Sequence, residues 1–123
     1  MSSLLSKARA AFVISGEVFD NRYTDDSYMN WAAFDLQQSI AIGLRALLDT
    51  QGKETAPEAE VSTLLKHVLR KYHFSGWYKT LDTYADVIDM WEDKARFDPD
   101  FTVSVEQYLK VREAAKTLLY MVL

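Results

Sequence analysis

The residues with most chemistry to offer lie between positions 66 and 96. Lys66, Arg70 and His73 recur at i, i+4 and i+7, with His67 and Lys71 beside them, and make the densest basic patch of an acidic chain. On one helix such a row meets phosphate or an acidic partner. The plainer reading is a solvated face with basic groups near a helix C-terminus, where the dipole favours them. His67 and His73 are six residues apart and point to different sides of a helix, which is poor geometry for a shared metal. Asp82, Asp86, Asp89 and Asp93 form an acidic row at i, i+4, i+7 and i+11. Hard-cation sites usually draw ligands from several elements, so this row reads as a solvated face or a docking surface for a basic partner. Around Gly76, the run Tyr72-His73-Phe74-Ser75-Gly76-Trp77-Tyr78 gathers four aromatic rings and a histidine. It reads as core and dimer contact, with base stacking as the functional alternative. Lys66, Arg70, His73 and Trp77 are therefore the candidate partner surface.

Other chemistries have no support. With no cysteine, disulfides, thiolate catalysis and Cys-based metal sites are excluded. There is no Gly-rich phosphate loop, no His-Glu-x-x-His and no Gly-x-Ser-x-Gly element. No cofactor and no metal is implied. A net charge of −4 argues against generic DNA binding, which normally needs a basic face.

At 123 residues with 49% hydrophobic composition, the chain has the size and core material of a single domain over residues 1–123. The N-terminal stretch lacks the apolar centre of a signal peptide, and no run approaches the roughly 18 apolar residues of a membrane span. A soluble, cytoplasmic protein is the expectation.

The elements that must position these residues are all helical. Leu5, Ala8, Phe12, Ser15 and Phe19 mark a first helix over Ser3 to Asp20. Thr24 is placed to cap a second, Asp25 to Gln51. It carries two apolar ridges, Trp31-Phe34-Ala41-Leu44-Leu48 and Ala33-Leu36-Ile40-Gly43-Leu47, as a central helix should. Gly52 is its expected C-cap. Thr55 and Glu58 match a capping box for a third helix, Ala56 to Tyr72, striped by Val61, Leu64, Leu65, Val68 and Leu69. A fourth spans Trp77 to Ala95 and a fifth, capped at Thr102 or Ser104, Val103 to Leu123. Short connections favour an all-α, up-and-down bundle of about five helices.

Two stretches carry a family resemblance. The first runs from Trp31 to Leu48, where Gln37-Gln38 precedes Arg45 and then Leu47-Leu48. The second is Lys94-Ala95-Arg96-Phe97-Asp98. The chain resembles the HEPN family, whose second helix carries a matching Gln and a Lys or Arg before a Leu-Leu pair. One large branch of that family closes its fourth helix with Arg-Tyr-Pro. Here Arg96 matches, Phe97 replaces the Tyr, and the proline comes one place late as Pro99. Ala41 stands where the family commonly has an acidic residue, and Ala59 where it often has a histidine.

The resemblance implies a helical bundle, frequent homodimers, and a nucleotide or a nucleotidyltransferase-type protein of a toxin–antitoxin-like system as partner. It singles out Arg45, Arg96 and Gln38 as phosphate- or ligand-binding. Some members are metal-independent ribonucleases, which need an Arg to hold the phosphate and, after about four to six intervening residues, a His to move a proton. None of Arg9, Arg22, Arg45, Arg70, Arg96 and Arg112 has His at that distance. The expectation is a non-catalytic module. A diverged ribonuclease and a purely structural oligomerisation domain are the alternatives.

Overall fold

A computed structural model describes residues 3–123. Among the described residues all regular structure is helical. The six α-helices are α1 Ser3–Asp20, α2 Ser27–Thr50, α3 Val61–His67, α4 Gly76–Thr83, α5 Ala85–Phe97 and α6 Val105–Thr117. A 3-10 turn occupies Arg70–Tyr72, and a π turn, Leu118–Val122, follows α6.

The central role expected of the second helix is borne out: α2 packs against α1, α3, α5 and α6. Ala32, Ala33, Leu36, Ile40, Leu44, Leu47 and Leu48 are buried along it, together with Gln37 and Ser39. Its end is a Schellman motif. Gly52, at φ +70°, donates to the carbonyl of Asp49 and Lys53 to that of Leu48, both at 3.0 Å. Its start departs from expectation: Asp26 rather than Thr24 is the N-cap, and the Asp25 carboxylate accepts from the Ser27 amide and hydroxyl at 2.8 and 2.7 Å. Those bonds hold Asp25 below the ordinary carboxylate range.

The third and fourth predicted helices are both interrupted. Ala56–Glu60 does not join α3, so the Thr55–Glu58 capping box is not used. The cap comes instead from another helix, as the Asp89 carboxylate accepts from the Ser62 amide at 3.3 Å. At its far end α3 stops at His67 because its carbonyls are taken by side chains. Tyr78 donates to Leu65, Lys53 to His67 and His73 to Val68. Val68 and Leu69 are extended at ψ 137° and 138°. The predicted fourth helix divides at Tyr84, with φ −101° and ψ 10°. Just before it the Thr83 hydroxyl donates back to the Lys79 carbonyl at 2.8 Å, a bond that bends helices. The bend lets α4 pack on α6 and α5 on α2 and α3.

Ser104 caps α6 as expected, accepting from the Gln107 amide at 3.2 Å. After Thr117 the helix widens into the π turn, closed by Leu123 N–H on the Leu118 carbonyl at 3.1 Å. Within that turn Arg9 donates twice to the Leu119 carbonyl, at 3.0 and 2.8 Å. Gly43 lets Leu119 approach, since a β-carbon there would sit 2.7 Å from a Leu119 methyl.

Candidate functional site

Arg96 lies in the last turn of α5, half-buried. Its Nε donates to the Glu92 carbonyl at 2.7 Å, and one terminal nitrogen is 3.7 Å from the Asp93 carboxylate. The guanidinium lies over two rings, 4.5 Å from the centre of Phe34 on α2 and 4.6 Å from that of Phe97. Phe34 in turn meets Trp31 edge-to-face at 5.9 Å. Phe97 is 72% and Trp31 44% exposed, so Arg96 is clasped within an aromatic ridge open to solvent.

The ridge borders a cleft of about 570 Å³ between the first turn of α2, the end of α5 and the loop into α6. Ser27, Asn30, Trp31, Arg96, Phe97 and Phe101 are among its walls. The loop is held in place at two points. Asp98 accepts from the Asp100 amide at 2.9 Å, and Asn30 reaches from α2 to the Phe101 carbonyl at 3.1 Å. Of the lining groups Arg96 is the single base, and Asp26 and Asp98 are the acids. A planar guanidinium backed by rings is suited to holding phosphate, and the exposed rings to stacking a base.

Gln38 and Arg45 are outside this cleft. Gln38 is one turn beyond Phe34 on the outer stripe of α2, and its amide donates to the Gln37 side chain at 2.6 Å. Arg45 lies two turns further along, about 10 Å on. Its Nε is buried and meets no acceptor among the described residues. Trp31, Phe34 and Ala41, expected in a core ridge, belong to this half-exposed outer stripe instead.

The candidate partner surface is rearranged by the break after α3. Lys66 is on α3, Arg70 in the 3-10 turn and His73 beyond it, so the three share no helix face. Lys66 and Arg70 are exposed. His73 is half-buried, stacked on Tyr78 at 4.2 Å, with Nε2 donating to the Val68 carbonyl at 3.0 Å. Trp77 is 6% exposed and belongs to the core, as does Tyr78 at 8%. Of the aromatic run around Gly76, Phe74 alone stands well clear of the surface, at 75%.

The acidic row is also divided, with Asp82 on α4 and Asp86, Asp89 and Asp93 on α5. Glu60, before α3, comes up against Asp89, whose negative charge raises the Glu60 pKa above its ordinary value, with Glu92 and Asp93 adding to it.

What sequence reasoning missed at the Arg96 site is its non-local part: Phe34 under the guanidinium and Asn30 tying down the loop. Both lie at or beside the start of the Trp31–Leu48 stretch, but nothing local marks their partners. Compared with family models, curated proteins and solved structures, the chain finds no match.

Proposed function

We propose that the chain is a HEPN-like, non-catalytic helical module that binds a nucleotide weakly, with the phosphate on Arg96 and the base against Trp31 or Phe97. The observation that carries this reading is the clasp itself, a guanidinium held over Phe34 and Phe97 at the edge of a cleft. Resemblance in the Trp31–Leu48 and Lys94–Asp98 stretches supports it, since the first contributes Trp31 and Phe34 and the second Arg96 and Phe97 to one place. Gln38 and Arg45 have no part in this pocket, so one cation meets the phosphate and affinity is low. Asp26 and Asp98 lower it further.

The proposed module pairs with a second copy through the outward face of α1, where Val13 is 50% and Ile14 49% exposed beside Ala10. A nucleotidyltransferase-type protein remains the proposed partner of the pair.

Calorimetry with ATP and GTP tests the phosphate site. A charge-assisted hydrogen bond contributes about 1.5–3 kcal/mol, so Arg96→Ala should weaken binding by about tenfold or more. If instead wild type gives no heat at millimolar nucleotide and Arg96→Ala only lowers the melting temperature, Arg96 serves the fold through Asp93 and Glu92, and the reading fails.

A further inference from the structure

A second cleft, of about 550 Å³, lies on the other side of Trp31, between α1 and α2. Its walls are Glu17, Val18 and Asn21 from the α1 side, Thr24 in the turn, and Tyr28, Trp31 and Asp35 on α2. The volume is within the roughly 300–1,000 Å³ typical of small-ligand sites. Both charged groups of the lining are carboxylates, and no basic side chain joins them.

Asp35 is the unusual member. It is half-buried, and among the described residues no donor or cation meets its carboxylate. Burial acts on it unopposed and pushes its pKa up. Its oxygens are not sealed from solvent, so the carboxylate can be reached from the cleft and would pair directly with a cation there. Beside it, Trp31 and Tyr28 are 44% and 36% exposed, and aromatic faces attract cations. An anion would be repelled by the two carboxylates, and a neutral apolar ligand would bury Asp35 further without pairing it. A cation satisfies the carboxylate and the rings together.

We propose that this cleft binds a small organic cation bearing ammonium or guanidinium groups, held by Asp35 against the rings of Trp31 and Tyr28. Glu17, across the cleft on α1, supplies a second carboxylate, so a ligand with two or more amino groups fits better than a monoamine. The site goes beyond the phosphate site and does not depend on it.

Spermidine and, as a single-headed comparison, arginine amide are the probes. They are titrated into labelled protein at physiological salt while the indole N–H resonance of Trp31 is followed. Trp77 and Trp91 are buried at 6% and 1% exposure, so their indoles serve as internal controls. The expected result is a saturable shift of Trp31, tighter for spermidine. Asp35→Asn, which keeps shape and removes charge, should weaken binding about tenfold. Trp31→Phe should weaken it less, and the Asp82→Asn/Asp86→Asn double variant should leave it unchanged. No saturable shift at about 10 mM spermidine, a weakness beyond roughly −2.7 kcal/mol, would overturn the proposal. So would binding indifferent to Asp35→Asn, or weakened equally by the double variant, which would mark diffuse attraction to an acidic protein. Nucleotide binding read at Arg96 should be unaffected by Asp35→Asn, so the two sites fail or stand separately.

Discussion

Ser15 and Tyr108 show how much one pair of hydroxyls does here. The Ser15 hydroxyl donates to the Ala32 carbonyl at 2.7 Å, which uses its one proton. It must therefore accept from the Tyr108 hydroxyl, also at 2.7 Å, and that hydroxyl lies 3.2 Å from the Ser15 carbonyl as well. Three helices, α1, α2 and α6, meet on these bonds, and both residues are fully buried. Burial pushes the Tyr108 phenol up, keeping it the neutral donor the arrangement needs. Removing a buried hydrogen-bond partner costs about 1–3 kcal/mol. Tyr108→Phe and Ser15→Ala should each destabilise within that range in urea unfolding. The double variant should lose less than the two costs together, because both remove the same bond. Strict additivity would show that the bond contributes nothing. The period-3.6 pattern placed Ser15 on an inward face, but a serine in an apolar stripe does not announce its partner, which lies 93 positions away. Arg96 follows the same rule: its place at a helix end was legible, whereas its seat on Phe34 was not.

Among the elements, α1 and the centre of α2 followed from apolar periodicity, and the Gly52 stop and the Ser104 cap, one of two candidates, from the residue preferences of helix ends. The failures cluster where a distant side chain takes a backbone group. α3 ends where Tyr78, Lys53 and His73 claim its carbonyls, and it begins under Asp89 rather than its own capping box. That exchange sets the Glu60 and Asp89 carboxyls against each other. Asp89 raises the Glu60 pKa, so the folded state holds a proton that the unfolded chain, with an ordinary value of 4.5, releases. The sign is therefore a repulsion present above the raised value and relieved as pH falls through it toward 4.5. Glu60→Gln should raise the melting temperature slightly at neutral pH and have no stabilising effect near pH 4. Differential scanning calorimetry across that range checks this, and a larger gain at the acid end would reverse the assignment. Glu60 is exposed, so solvent screening keeps the effect small.

At the scale of the molecule, the accessible surface is 6920 Å². An ordinary folded monomer of 14.1 kDa exposes about 6,700 Å². Its aromatic content is divided: Trp91 and Tyr108 are fully buried and Trp77 and Tyr78 nearly so, whereas Tyr23, Trp31, Phe74, Phe97 and Tyr120 are exposed. The aromatic run around Gly76, read from the sequence as core and dimer contact, places Trp77 and Tyr78 in the core and leaves Phe74 exposed. The proposed self-association is assigned to the exposed apolar residues of α1, Val13 and Ile14. Sedimentation at micromolar concentration should give twice 14.1 kDa for wild type and a monomer for Val13→Glu. A wild type that stays monomeric removes the dimer from the proposed function and leaves the Arg96 site standing. No helix of the described residues is long and apolar enough to cross a membrane. The all-helical class was legible throughout the chain because it rests on periodicity. Of the candidate site, the place of Arg96 at the end of a helix was legible, whereas the separation of Gln38 and Arg45 from the Arg96 cleft along α2 depends on packing that no local motif carries. The most direct measurement of the central claim is a titration of labelled protein with ATP, following the Arg96 Nε–H resonance and the Phe97 amide. Both should shift in a saturable way, while Arg45 and the Lys66–His73 segment stay still. Unmoved Arg96 and Phe97, or shifts gathered instead at Lys66, Arg70 and His73, would contradict the account.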